Sequence, residues 1–271
     1  MNFCKLIKNI FLGGSILVLI IAGIGCSNKA SESTLDKDIL IVGMDDAFAP
    51  MGFKDESGEI TGFDVDLAKE LGKMLNKEII FQPIDWTMKE SELKSGNIDL
   101  IWNGYTITEE RKNKVDFSVP YLKNKQVIVT LADSNINSKS DLANKKVGAQ
   151  SESSAVAAME KEEDLYASFN GGCAITFEDN NQALMDLEAG RIDAVVADEI
   201  LVRYYLNLKG EDKFKILDDN FGDEEYGVGI RKGDTEMVDA FNKAYKEMQK
   251  DGTLQEISKK WFNEDITIKS E

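Results

Sequence analysis

The sequence predicts an α/β fold of parallel strands joined by right-handed helical crossovers. Two observations carry that expectation: strand-like and helix-like segments alternate along the chain, and 3 prolines in 271 residues leave those segments almost uninterrupted. A third, a short repeated pattern described below, suggests two similar units.

Residues 39–44 form a β-branched run that reads as a strand and stops at Asp45-Asp46-Ala47-Phe48-Ala49-Pro50. Open α/β sheets bind ligands beyond the carboxyl ends of their strands, so a polar and aromatic loop there is a candidate site. Residues 54–58 read as a turn. From Asp64 a helix follows, with Leu67, Leu71, Met74 and Leu75 on one face and Lys69, Glu70 and Lys73 outside. Residues 79–84 return as a strand ending at Asp85-Trp86, a second polar and aromatic terminus. A helix over 88–94 and a Gly96 stop lead to an apolar run from Ile98 that ends at the turn pair Asn103-Gly104.

There Thr108 is placed to cap a new helix, but the position three residues on holds Arg111 rather than the acid of a capping box. A cation in a first turn opposes the macrodipole by roughly 0.3–1 kcal/mol, which suggests an anionic partner. Pairing with Glu109, Glu110 or Asp116 is the plainer reading.

The second half restarts the pattern. Strands are expected over 126–131, 146–149, 192–197, 213–217 and 226–230, and helices over 155–161, 180–189, 199–206, 235–250 and 253–262. The segments Leu93-Lys94-Ser95-Gly96-Asn97-Ile98-Asp99 and Leu187-Glu188-Ala189-Gly190-Arg191-Ile192-Asp193 share 4 of 7 residues, each a helix end, a glycine cap and a strand opening Ile-Asp. If the units correspond, Thr106 and Arg111 face Asp198 from opposite sides.

Composition narrows the chemistry. Lys5 and Lys8 precede an apolar run over 10–25 that ends at Gly25-Cys26, as in a lipoprotein signal peptide cleaved before a lipidated Cys26. Gly23 stands where such signals more often carry Leu, and an uncleaved membrane anchor is the alternative. Residues 26–38 read as a flexible tether. Without residues 1–25 the chain holds 30 basic against 49 acidic residues, a net charge of −19, which repels phosphate backbones and argues against nucleic acid. The chain has 3 cysteines and no histidine. Cys4 leaves with the signal and Cys26 carries lipid, so Cys173 has no partner for a disulfide, and histidine triads and histidine zinc sites are excluded. No cofactor and no metal are expected.

Six motifs together resemble a known family. Val42-Gly43-Met44-Asp45, Gly62-Phe63-Asp64-Val65-Asp66-Leu67-Ala68, Gly104 to Arg111, Val115-Asp116-Phe117-Ser118 with Pro120-Tyr121, Asp141-Leu142 with Lys146-Val147-Gly148, and Gly252-Thr253-Leu254 with Lys260-Trp261-Phe262 occur in the order seen in the polar amino-acid solute-binding proteins of bacterial ABC transporters. The resemblance spans 39–262. It implies a two-lobed periplasmic-binding-protein-like fold (type II), each lobe an open, mostly parallel sheet flanked by helices, joined by two crossover hinge strands. The larger lobe would comprise 39–122 and 225–263, and the smaller 126–221.

The resemblance further implies that Arg111 pairs bidentately with an amino acid's α-carboxylate and that Asp198 takes its α-ammonium. Gly104 and Thr106 would add contacts to the ammonium, and Ser153 or Ser154 a backbone donor to the carboxylate. Phe48 and Trp86 would sandwich the ligand side chain, with Asp45 at the pocket end; Asn103 and Gln150, at strand ends, complete the set. Glu152 departs from a frequent Gly and Met51 from a frequent aromatic. The acids Asp45, Asp46 and Glu152 favour a basic amino acid or glutamine, with cystine a third candidate. The implied setting is an extracytoplasmic, lipid-anchored monomer serving the permease and ATPase of an importer. Two alternatives are a lyase on the same fold, such as one like cyclohexadienyl dehydratase with Glu152 as general acid, and an amino-acid sensor.

Overall fold

The computed structural model describes residues 33–269. The expected signal peptide, the Gly23 departure and the lipidated Cys26 lie outside the described residues. Two five-stranded sheets organise the chain, each the core of one lobe.

The first begins with β1 (Ile39–Met44), followed by a small antiparallel sheet of β2 (Ala47–Phe48), β3 (Gly52–Lys54) and β4 (Ile60–Thr61). Then come α1 (Phe63–Leu75), β5 (Glu78–Pro83), α2 (Lys89–Ser95), β6 (Leu100–Ile101), α3 (Glu109–Lys112) and β7 (Val115–Phe117). The second sheet is built from β8 (Leu122–Leu131), β9 (Val147–Gln150), α4 (Ser154–Glu160), α5 (Glu163–Ala167), β10 (Ile175–Phe177), α6 (Asn180–Glu188), β11 (Ala194–Asp198), α7 (Glu199–Lys209) and β12 (Phe214–Tyr226). The chain then returns through β13 (Gly229–Arg231), α8 (Thr235–Asp251) and α9 (Thr253–Phe262).

Sheet orders are β5-β1-β6-β13-β7 and β10-β9-β11-β8-β12. In each, three strands run parallel and two antiparallel pairings complete the sheet: β13 with β6 and β7 in the first, β8 with β11 and β12 in the second. The two sheets are the same design, and the repeated sequence pattern shows why. Gly96 and Gly190 take φ of 79° and 67°, the left-handed cap that glycine adopts without steric cost. Asp99 Oδ2 then accepts from the Ile41 amide at 3.0 Å and Asp193 Oδ2 from the Lys146 amide at 2.7 Å. Each aspartate thus ties the central strand of its sheet to the strand beside it. From these anchors β6 runs toward Asn103-Gly104 and β11 toward Asp198.

Three expectations are corrected, and the place of Met51 is fixed. Residues 33–38 are not a free tether: Thr34 is fully buried, and Ser33 Oγ and the Thr34 amide both donate to Asp234 at 2.8 Å. Of the four apolar residues expected on the inner face of α1 only Leu67 and Leu71 are fully buried and Met74 is 43% exposed, because α8 and α9 cover the helix over a narrower arc than the apolar spacing implies. Met51 is fully buried in the core. The strand expected over 226–230 is two strands: Tyr226 closes β12 and β13 starts at Gly229.

Candidate functional site

Eleven residues reached from the sequence line one small pocket: Asp45, Phe48, Trp86, Asn103, Gly104, Thr106, Arg111, Gln150, Ser153, Ser154 and Asp198. The first seven come from the lobe of the first sheet, mostly from segments that leave its strands, and the other four from the lobe of the second, so the pocket lies near the strand ends of both, where open sheets bind ligands.

On the first-sheet side, the chain leaving β6 turns at Gly104 with φ of 58°. A Cβ there would stand 2.7 Å from the Phe48 ring, so only glycine lets the ring and the main chain approach. The Gly104 amide donates to Asp64 Oδ2 at 2.8 Å, and Tyr121 donates to the same oxygen at 2.9 Å. Burial pushes the Asp64 carboxyl up to about 7 despite these bonds. Asn103 Nδ2 donates to the Gly52 carbonyl at 3.3 Å, while Asn103 Oδ1 is buried without a partner among the described residues.

Thr108 caps α3 as expected, its hydroxyl accepting from the Arg111 amide at 3.1 Å. The Arg111 side chain does not pair with Glu109, Glu110 or Asp116; it folds inward. Its guanidinium lies 4.6 Å over the Tyr105 ring, donates to the Thr106 carbonyl at 3.0 Å, and has Glu90 at 4.0 Å. A planar cation held from three sides with an edge on a pocket has the geometry to meet both oxygens of a carboxylate.

On the opposite side Asp198 is a buried acceptor. Its Oδ1 takes hydrogen bonds from Asn124 Nδ2, from Gln126 Nε2 at 2.8 Å and from Tyr226 Oη at 2.8 Å. Burial, then the neighbouring Glu224 carboxylate, raise its pKa well above the usual carboxylate range. Glu224 Oε1 accepts from the same two amides, at 2.7 and 2.8 Å. An extra cation beside Asp198 would relieve this accumulation of negative charge.

The two sides already touch. Thr106 Oγ1 donates to Ser154 Oγ at 3.0 Å, and Gln126 Nε2 donates to that hydroxyl at 3.1 Å. Ser153 is the N-cap of α4, its hydroxyl accepting from the Val156 amide. At the far end Gln150 Nε2 donates to Asp45 Oδ2 at 2.7 Å, and Asn180 Nδ2 donates to Gln150 Oε1 at 3.0 Å. Burial pushes Asp45 up to about 6. Phe48 and Trp86 are 5% and 8% exposed, so packing and cavity lining are one role for both.

Asp46 and Glu152 fall outside this lining. Asp46 pairs with Lys54 at the surface. Glu152 adopts φ of 54°, which accounts for glycine's frequency at this place, and its exposed side chain borders an adjoining cleft instead of the cavity. The carboxyl considered as a general acid is therefore not aimed at the pocket. Asp64, Asn124, Gln126 and Tyr226 escaped the sequence reading as site residues; only Asp64 lay within a quoted motif.

The description of the bacterial extracellular solute-binding proteins, family 3, matches residues 40–264. The chain is 36% identical to the L-cystine-binding protein TcyJ of Escherichia coli over 94% of its length and 96% of that protein's. It is 34% identical to the arginine-binding extracellular protein ArtP of Bacillus subtilis, over 93% and 96% of the two chains. A solved ABC uptake transporter substrate-binding protein from Streptococcus pneumoniae with bound histidine superposes with a TM-score of 0.84 at 40% identity, covering 87% of this chain and 96% of that one. The chain belongs to family 3 of the bacterial extracellular solute-binding proteins.

Proposed function

We propose that this protein captures a free amino acid between its two lobes and delivers it to the permease and ATPase of an ABC importer. The observation that carries this reading is that a buried guanidinium, Arg111, and a buried carboxylate, Asp198, edge one small pocket from opposite lobes. That pairing fits the α-carboxylate and α-ammonium of a zwitterion. Thr106, the Gly104 carbonyl and a Ser153 or Ser154 amide complete the grip, and relatives named for cystine and arginine binding are consistent with it.

At the side-chain end Asp45 and Gln150, between Phe48 and Trp86, favour a basic side chain or glutamine over an acidic one by charge. Asn103 Oδ1 supplies a further acceptor. Cystine satisfies the same logic, since its second ammonium needs a carboxylate. The lobes, 39–122 with 225–263 and 126–221, close by bending where β8 and β12 cross between them, at residues 123–125 and 222–224. The mature protein works as a monomer held by lipid on Cys26 at the outer face of the cytoplasmic membrane.

A thermal-shift screen of the mature protein against the common amino acids and cystine tests this. A ligand at 100 times its Kd adds about 2.7 kcal/mol of stability. At least one basic amino acid, glutamine or cystine is expected to shift the melting temperature, and no response to any of them would refute the reading.

A further inference from the structure

Lys89 is not among the residues lining the cavity, yet it is 2% exposed and lies beside Arg111. It opens α2 directly after Trp86-Thr87-Met88. Its ammonium donates to the Trp86 carbonyl at 3.0 Å and, across to the other lobe, to the Glu152 carbonyl at 3.2 Å. Glu90 Oε2 stands 3.5 Å away and the Trp86 ring 5.2 Å. The same Glu152 carbonyl accepts from Arg111 Nη2 at 3.3 Å.

Two buried cations on one carbonyl is a costly arrangement, because each loses hydration and repels the other. The carbonyl faces them while Glu152 stands in the left-handed region, which disfavours a residue with a Cβ. Neither expense benefits one lobe alone, since Lys89 belongs to the first and Glu152 to the loop between β9 and α4 of the second. Both are accounted for if the contact fastens the lobes together.

We propose that Lys89 is a positioning residue of the binding site: with Arg111 it grips the Glu152 carbonyl and latches the second lobe over the ligand's carboxylate end. This rests on the amino-acid-binding reading. The latch touches no ligand side chain, so it slows dissociation of every ligand alike. Glu152 contributes through its main chain, so its carboxylate is dispensable. The charged or titratable groups around the ammonium are Asp85 before α2, Glu90 on α2, Tyr105, Glu110 and Arg111 from the β6–α3 segment, Lys114 before β7, Glu152, and Glu160 at the end of α4. Burial and then Arg111 hold the Lys89 pKa down to about 8, so the latch weakens over the pH range just above neutral.

The test compares wild type and Lys89→Met by stopped-flow dissociation of arginine, glutamine and cystine. Losing a charged hydrogen bond predicts roughly tenfold faster release from Lys89→Met for each bound probe, with their rank order kept. Wild-type release should speed up as pH rises from about 7 to 9 by more than release from Lys89→Met does. Wild-type rates in Lys89→Met, or a changed rank order, would overturn the proposal. Should that variant not fold, a pH-independent wild-type rate overturns it instead. Spin labels at Lys94→Cys and Asp164→Cys, in a Cys173→Ser background, separate this from the parent reading. A wild type that binds no probe refutes amino-acid capture; where a probe saturates both proteins, Lys89→Met should give wider label distances than wild type, and equal distances in the two bound proteins count against the latch.

Discussion

The Thr106 hydroxyl donates to the Ser154 hydroxyl at 3.0 Å, joining the segment after β6 in one lobe to the first residue of α4 in the other. Both residues are buried and both line the cavity. A contact of this kind exists only while the lobes are together, so on the proposed reading it serves closure as well as recognition. Thr106→Val keeps the shape and removes the donor. It should weaken all amino-acid ligands by about 1 kcal/mol, close to fivefold, as measured by calorimetric titration. A loss confined to one side-chain class would assign Thr106 a different role.

Arg111→Lys keeps the charge and discards the fork. Lysine is a point charge and cannot reach both oxygens of a carboxylate while also meeting the Thr106 carbonyl. Affinity for every ligand should drop by roughly 2 kcal/mol or more, and calorimetry showing wild-type affinity would remove Arg111 from the carboxylate role.

Asp45 sits at the other end and is expected to sort ligands. Asp45→Asn should reorder the amino acids, with cationic side chains losing most. Because burial holds its carboxyl at about 6, wild-type affinity for a cationic ligand should fall as pH drops from about 7 to 5, and Asp45→Asn should abolish that dependence. A uniform loss across ligands would show that Asp45 is structural.

Asp45 and Asp64 also set a pH dependence of stability. Both carboxyls have folded pKa values above their ordinary 3.8, so the folded protein binds more protons than the unfolded chain between that value and about 6 or 7. Their contribution is therefore fullest at acid pH and is lost as pH rises through the folded values. Denaturant unfolding of the ligand-free protein should give higher stability at pH 5 than at pH 7. Asp64→Asn should shrink that difference by on the order of 1 to 2 kcal/mol. Equal slopes in the two proteins would mean that Asp64 ionises normally.

Much of this site was legible in the sequence because its signals are local. Gly96 and Gly190 announce their caps, Thr108 its helix start, and the polar strand ends at Asp45, Trp86 and Gly104 mark where an open sheet takes a ligand. What the sequence could not show depends on pairing between distant segments. Gln126 reaches Asp198 because β8 lies antiparallel to β11 with Asp198 opposite it, and Tyr226 arrives only through the β12 pairing with β8. Asp64 looks like an ordinary first-turn acid until the Gly104 amide is found on it. Lys89 looks like an ordinary helix cation until Glu152 is found folded toward it. The apolar spacing of α1 overstated its buried face because Met74 lies beyond the reach of α8 and α9.

The central claim is that the ligand is held by its backbone zwitterion, with Arg111 on the carboxylate. The most direct measurement is calorimetric titration with the amino acid that gives the largest thermal shift, set beside the methyl ester of the same amino acid. The ester keeps the side chain and the ammonium but cancels the carboxylate charge, so it should bind roughly a hundredfold more weakly or not at all. An ester that binds as tightly as the free amino acid would contradict the account.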